Sequence, residues 1–110
     1  MDEEKRRECL RLARQIGVNI EDKQVKDLLT QDRLTAAEAA LVLERSRYSL
    51  DKAYRHGNSS GLRTRTDKHG QYHYRDAATI DVLRWAVDRP ERYRWVDKER
   101  AARYAAEDAE

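Results

Sequence analysis

The chain has no phenylalanine, one cysteine, one proline and four glycines among its 110 residues, and 40% of its residues are charged. Without phenylalanine, the core must be thin and built from Leu, Val, Ile, Ala and a few Tyr and Trp. A chain of this length has room for one domain, extended at most by a few helices.

The single cysteine, Cys9, excludes an intramolecular disulfide and is typical of a reducing compartment. No apolar run approaches the roughly 20 residues that a membrane-spanning helix needs. The charged residues 1–5 are not followed by an apolar stretch, so they do not form a signal peptide. We therefore expect a cytoplasmic protein with no membrane partner.

The net charge of +2 conceals an uneven distribution of charge along the chain. Residues 1–33 carry eight Lys/Arg and eight Asp/Glu, residues 34–75 carry eight and four together with all three histidines, and residues 76–110 carry seven and nine. The surplus of positive charge thus lies in the middle of the chain, which favours a surface that binds a polyanion.

Apolar residues at helical spacing predict two helices in the first third of the chain, over residues 3–16 and 21–30. Gly17 is expected to end the first of them. The apolar positions of these helices either fold back on the rest of the chain to complete its core, which is the favoured interpretation, or supply contacts between copies. These positions are Cys9, Leu12, Ala13, Ile16, Val25, Leu28 and Leu29.

The middle of the chain predicts two short helices and a hairpin. Thr35 and Glu38 form a capping box for a helix that runs to about residue 43, and Ser46 can cap the next helix, over residues 47–56. Residues 62–66 and 71–75 alternate in polarity on both sides of the Gly-containing turn 67–70, which predicts a β-hairpin.

The last third is predicted to begin with a helix over residues 77–88, which Asp76 caps and which buries Ile80, Leu83, Val87 and Trp85. Pro90 enforces a break. A final helix after Asp97 is expected to bury little and to fray easily. The predicted fold is mainly α with a small β-hairpin, divided into an N-terminal helical extension (1–33), a winged helix-turn-helix (34–88) and a C-terminal helical or frayed tail (89–110).

Residues 34–85 resemble the excisionase and MerR-like winged-helix family of DNA-binding proteins. The resemblance rests on the segments LTAAEAALVL (34–43), SRYSL (46–50), RHG (55–57), RTR (63–65) and GQYHYR (70–75), followed by an Asp-led helix that ends in an aromatic residue. Glu44 stands where the family usually has glycine, and Arg45 where it usually has an apolar residue. The link 58–61 is longer than is typical.

The resemblance implies that the fourth helix enters the major groove of double-stranded DNA while the hairpin acts as a wing. The recognition helix would use Ser46, Arg47, Tyr48, Ser49, Lys52 and Arg55, with Leu50, Ala53 and Tyr54 facing inward. Asp51 would accept from a cytosine amine or pair with Arg55. The wing would use Arg63, Arg65, Lys68, His69, His73 and Arg75.

The resemblance further implies an excisionase-like architectural protein that binds DNA cooperatively, bends it and assists an integrase. Alternatives of the same fold are a transcription regulator and a small terminase subunit. An alternative of another class is a protein-interaction adaptor that binds through residues 1–33, and the basic residues would then be no more than a solvated surface. The DNA sequence and the oligomeric state stay open.

No catalytic motif, cofactor or metal site is predicted. The chain lacks paired catalytic carboxylates at a recognisable spacing, a nucleophile elbow and a phosphate-binding glycine loop. His69 and His73 lie on a predicted turn and strand, and Cys9 is remote from them. We therefore expect that the protein is not an enzyme.

Overall fold

The computed structural model describes residues 1–56, 62, 64–65 and 76–109. These residues form seven helices and three short strands: α1 (Glu3–Ile16), α2 (Lys23–Leu28), β1 (Arg33–Leu34), α3 (Ala36–Leu43), α4 (Arg47–Arg55), β2 (Thr64–Arg65), β3 (Asp76–Ala78), α5 (Thr79–Val87), α6 (Glu91–Arg94) and α7 (Lys98–Asp108). The strands form one antiparallel sheet in the order β1-β3-β2. The fold is thus mainly helical, as the sequence predicts, and it carries a small three-stranded antiparallel sheet.

Helix α1 begins and ends where the sequence predicts. The Asp2 side chain accepts a hydrogen bond of 2.8 Å from the backbone N–H of Lys5, and Gly17 ends the helix in the left-handed conformation at φ 82°. Its four predicted apolar positions are all buried, and the helix packs against α5 and α7. The N-terminal helix therefore completes the core of the whole chain, as the favoured interpretation holds.

Helix α3 has the predicted capping box. The Glu38 N–H donates to the Thr35 hydroxyl over 3.2 Å, and the Thr35 N–H donates to the Glu38 carboxylate over 2.9 Å. Helix α2 is shorter than predicted, because Asp22 caps it at Lys23 and the helix ends at Leu28.

The prediction for Asp76 is wrong, since this residue begins a strand rather than capping a helix. Strand β3 pairs Ala78 with Arg33 and Ala77 with Leu34, so the two residues before Thr35 form a strand that the sequence did not predict. Helix α5 starts only at Thr79 and buries Thr79, Val82, Leu83 and Ala86. Of the residues predicted to be buried there, only Leu83 is fully so; Ile80, Trp85 and Val87 are partly buried.

The prediction that the C-terminal helix buries little is also wrong. Tyr104 is only 2% exposed, and its hydroxyl donates a hydrogen bond of 3.0 Å to the Val18 carbonyl oxygen. The Arg14 guanidinium stacks on the Tyr104 ring, 4.7 Å from its centroid, and pairs with Asp108 at 2.8 Å. These contacts fix α7 against α1.

Gly17 closes the junction between α1 and the segment before α7. The Ile16 carbonyl oxygen accepts from the Val96 N–H at 2.9 Å and from the Asp97 N–H at 3.3 Å. A Cβ atom at Gly17 would lie 1.9 Å from the Asp97 carbonyl oxygen, so only glycine fits there.

Candidate nucleic-acid interface

The turn between α3 and α4 is three residues long and depends on Glu44. Glu44 is the one non-glycine residue with positive φ in the described part of the chain, at φ 51° and ψ 43°, and its N–H donates to the Ala40 carbonyl oxygen. The Glu44 carboxylate pairs with Arg100 of α7. Glu44 therefore adopts the left-handed conformation that glycine commonly adopts at the end of a helix.

Arg45 stands at the turn position where the resembled family usually has an apolar residue, but this position is not buried here. Its side chain is exposed, and its guanidinium donates to the Tyr93 carbonyl oxygen at the end of α6. Ser46 then caps α4 through a 3.2 Å bond from the Ser49 N–H to its hydroxyl. The turn and α6 thus lie side by side at the N-terminal end of α4.

The inner face of α4 is formed by Leu50, Ala53 and Tyr54, which are buried as predicted. The Tyr54 hydroxyl donates a hydrogen bond of 2.9 Å to the Leu34 carbonyl oxygen in β1. Burial raises the pKa of this phenol far above its usual range, so it stays a neutral donor. This bond and the apolar contacts hold α4 firmly against the sheet and α3.

The outer face of α4 exposes all six residues predicted to read DNA: Ser46, Arg47, Tyr48, Ser49, Lys52 and Arg55. Tyr48 is 77% exposed, which is unusual for a large aromatic residue, and the side chain of Arg47 is 74% exposed. Asp51 pairs with Arg47, not with Arg55 as one alternative held, and the Nε–Oδ2 distance is 3.7 Å. A loose, exposed pair of this kind contributes little free energy, so Arg47 is free to exchange its partner.

Strand β2 adjoins the C-terminal end of α4. The Thr64 hydroxyl donates to the Tyr54 carbonyl oxygen over 3.3 Å, and Thr64 and Arg65 pair with Ala77 and Asp76 of β3. Strand β2 thus lies within the first predicted hairpin strand, and it pairs with residues that directly follow the second one; that second predicted strand, 71–75, lies outside the described residues. The other predicted wing residues lie outside the described residues: Arg63, Lys68, His69, His73 and Arg75.

Arg65 is held at the base of this ribbon by Asp76, an interaction that the sequence prediction missed. The Asp76 carboxylate pairs with Arg65 and with Arg33, each at 2.6 Å, and only 16% of its side chain is exposed. Burial raises the pKa of this carboxyl, but the two guanidinium groups outweigh that effect and hold the pKa below its usual range. Part of the positive charge of Arg65 is thus neutralised within the fold.

Two arginines in and just before α6 were not assigned to a site by the sequence prediction. Arg89 and Arg94 lie beside the turn before α4, and the Arg94 Nε donates to the Arg89 carbonyl oxygen over 3.3 Å. The clustering of positive charge itself can be seen in the sequence, because the segment RPERYR (89–94) has three arginines within six residues. Its position against α4 depends on long-range packing and could not be read from the segment alone.

No helix in the described part of the chain combines the length and apolar character needed to cross a membrane. Comparison of the chain with protein-family models, with characterised proteins and with solved structures found no match.

Proposed function

We propose that the chain binds double-stranded DNA as a winged helix-turn-helix protein. In this proposal α3 and α4 are the helix-turn-helix, and β2 and β3 form the base of the wing. The observation that carries the proposal is the exposed basic face of α4, which follows a three-residue turn and has the β2–β3 ribbon at its C-terminal end.

The dimensions of α4 suit the major groove. An α-helix with its side chains is about 10–12 Å in diameter, which the major groove, about 12 Å wide, admits, and the nine residues of α4 give a helix about 13.5 Å long. Arg47, Lys52 and Arg55 can donate to guanine edges or phosphates, and Tyr48 can contact a thymine methyl group or a phosphate. Because Asp51 is the one acidic residue among residues 47–55, the helix carries a net charge of +2.

Such a small interface neutralises few phosphates, so one copy is expected to bind modestly and to lose affinity steeply as salt rises. Useful occupancy then requires several copies side by side. This requirement and the family resemblance support an excisionase-like role, in which cooperating copies bend DNA and assist an integrase.

The adaptor alternative has less support. Its binding element would be residues 1–33, but the apolar face of α1 is buried against α5 and α7. The outward residues of α1 carry both signs of charge, and several pair with one another, such as Arg7 with Glu3 and Arg11 with Glu8. The described charged residues of α1 that form no ion pair, Glu4, Lys5 and Arg6, offer a partner only charge of mixed sign.

The test compares two variants with equal loss of charge. R47Q/K52Q/R55Q removes the basic face of α4, whereas R6Q/K23Q/K26Q removes three exposed charges from α1 and α2. In fluorescence-anisotropy titrations with duplex DNA, the α4 variant should bind at least about tenfold more weakly, and the slope of log affinity against log salt should fall by about 1 for each phosphate that the variant no longer neutralises. The control should stay close to wild type. Equal reductions of affinity in the two variants would contradict the proposal.

A second measurement separates the roles within the DNA-binding class. Footprinting combined with a circular-permutation bend assay should show protection of direct repeats and a bend if the role is excisionase-like. A single unbent palindrome would instead favour a transcription regulator.

A further inference from the structure

A cleft of about 240 Å³ lies between the turn before α4, the C-terminal half of α5 and α6. Its lining includes the buried apolar residues Leu43, Leu50 and Ala86, here called the apolar floor. Two aromatic residues, Trp85 and Tyr93, also line it. It is therefore a concave apolar site rather than a flat charged surface.

Three guanidinium groups line this cleft, from Arg45, Arg89 and Arg94, and no Asp or Glu is among the described residues that line it. Elsewhere in the fold many arginines pair with carboxylates, as Arg14 does with Asp108. Within the described ranges, none of the three cleft arginines has a carboxylate partner. The cleft thus concentrates positive charge that no carboxylate of the described residues neutralises by an ion pair.

The positions of two of the arginines are restrained by contacts within the cleft wall. The Arg89 guanidinium lies over the Trp85 ring, 5.2 Å from its centroid, and Arg45 donates to the Tyr93 carbonyl oxygen. Guanidinium groups held in this way still have N–H donors available for an oxyanion. Because these side chains are already partly ordered, the entropic cost of ordering them when a ligand binds is smaller.

We propose that this cleft binds a small organic anion, in which one aromatic or apolar ring bears a carboxylate or phosphate group. The ring would lie on the apolar floor beside Trp85, and the acidic group would accept hydrogen bonds from the arginines. A volume of about 240 Å³ is below the roughly 300–1,000 Å³ of sites for drug-sized ligands, so the ligand is small. A bare phosphate would leave the apolar floor unused, which is why the ring belongs to the proposal.

The site shares Ser49 with the proposed DNA interface. Ser49 and Leu50 of α4 both line the cleft. A bound anion would therefore contact the first turns of the same helix that carries the exposed basic face. Binding of the anion itself does not require DNA, so it can be measured on the free chain.

The experiment titrates the ¹⁵N-labelled full chain with phenyl phosphate and with benzoate, and follows amide signals by NMR. Inorganic phosphate and neutral benzamide are the matched probes, since each keeps one half of the proposed ligand. We expect shifts at Leu50, Ala86 and Tyr93 with both ring-bearing anions, and an affinity for phenyl phosphate several-fold higher than for either matched probe.

Two variants test the arginines. R89Q/R94Q should weaken binding of phenyl phosphate by about tenfold or more, because each charge-assisted hydrogen bond carries about that factor. R89K/R94K keeps both charges and should bind more tightly than R89Q/R94Q. The control R6Q/R84Q removes two exposed arginines that form no ion pair among the described residues and lie outside the cleft, and it should bind as wild type does.

The proposal is overturned if neither ring-bearing anion shifts these signals, if inorganic phosphate or benzamide binds as tightly, or if R89Q/R94Q binds like wild type. It is also overturned if R89Q/R94Q lowers affinity for duplex DNA while no small anion binds, because the cleft would then serve the DNA backbone. A chain that binds phenyl phosphate as expected but no DNA would contradict only the function proposed above.

Discussion

Replacing Glu44 by glycine and, separately, by alanine tests the turn that sets the direction of α4. Glu44 is left-handed at φ 51°, a conformation that costs an L-residue about 1–2 kcal/mol. A glycine at this position does not have this cost. It instead lowers the stability of the folded protein by about 0.4–1 kcal/mol, because the unfolded chain has more conformational freedom. Glu44→Gly should therefore be about 0.5–1 kcal/mol more stable than Glu44→Ala.

Both substitutions also remove the ion pair between Glu44 and Arg100. The Glu44 side chain is 47% exposed, and Arg100 keeps a second carboxylate, with 3.4 Å between its Nε and the Asp97 Oδ2. Solvent-screened pairs of this kind contribute less than about 1 kcal/mol. The free energy of unfolding of Glu44→Gly should thus be close to that of wild type, while Glu44→Ala should be less stable than wild type by up to about 1 kcal/mol.

Urea denaturation at 25 °C measures these differences, with Glu44→Gln as the control that removes the charge but keeps the side chain and its backbone strain. The free energy of unfolding of Glu44→Gln should be closer to that of Glu44→Ala than to that of Glu44→Gly. If the alanine variant were as stable as the glycine variant, the left-handed turn would not be the feature that shapes this junction.

Three further substitutions test contacts that position the site, each read out by urea denaturation. Asp76→Asn should lower the free energy of unfolding by about 2 kcal/mol at pH 7, because it leaves two guanidinium groups without their carboxylate. The pKa of Asp76 is lowered in the folded state, so wild type should keep this advantage above about pH 4 and lose it as the pH falls further. Tyr54→Phe should cost about 1 kcal/mol because it removes the buried bond to the Leu34 carbonyl oxygen. Gly17→Ala should cost more than about 3 kcal/mol, since its Cβ would meet the Asp97 carbonyl oxygen.

Different results would contradict each of these arguments. An advantage of wild type over Asp76→Asn that does not change between pH 7 and pH 3 would show that the carboxylate charge is not what stabilises the base of the ribbon. An unaltered stability of Tyr54→Phe would mean that the phenol does not tie α4 to β1. A Gly17→Ala variant as stable as wild type would mean that α1 and the segment before α7 do not meet at this glycine.

Most helices of this fold could be predicted from local signals, but the short helix α6 was not predicted. The capping box of Thr35 and Glu38, the cap at Ser46 and the stop at Gly17 each act within a few residues, so they are visible in the sequence. The inner face of α4 is equally visible, because its apolar residues recur at helical spacing.

The features that the sequence did not reveal all depend on residues far apart in the chain. Strand β1 has two residues and exists only because Ala77 and Ala78 pair with it. Asp76 has the character of a helix cap, but its carboxylate pairs instead with Arg33, 43 positions away. Tyr104 lies in a weakly apolar helix, and its burial follows from α1 lying against it.

An NMR map of the full chain with a DNA duplex tests the central claim most directly. The amide signals of the buried Cys9 and of the outer face of α1 serve as internal references, because these residues lie outside the proposed interface. The amide signals of residues 46–55 and of Arg65 should shift or broaden on addition of DNA, and those of the outer face of α1 should not. If the changes fell mainly on α1 and α7 and left α4 unaltered, the assignment of α4 as the DNA-contacting helix would be contradicted.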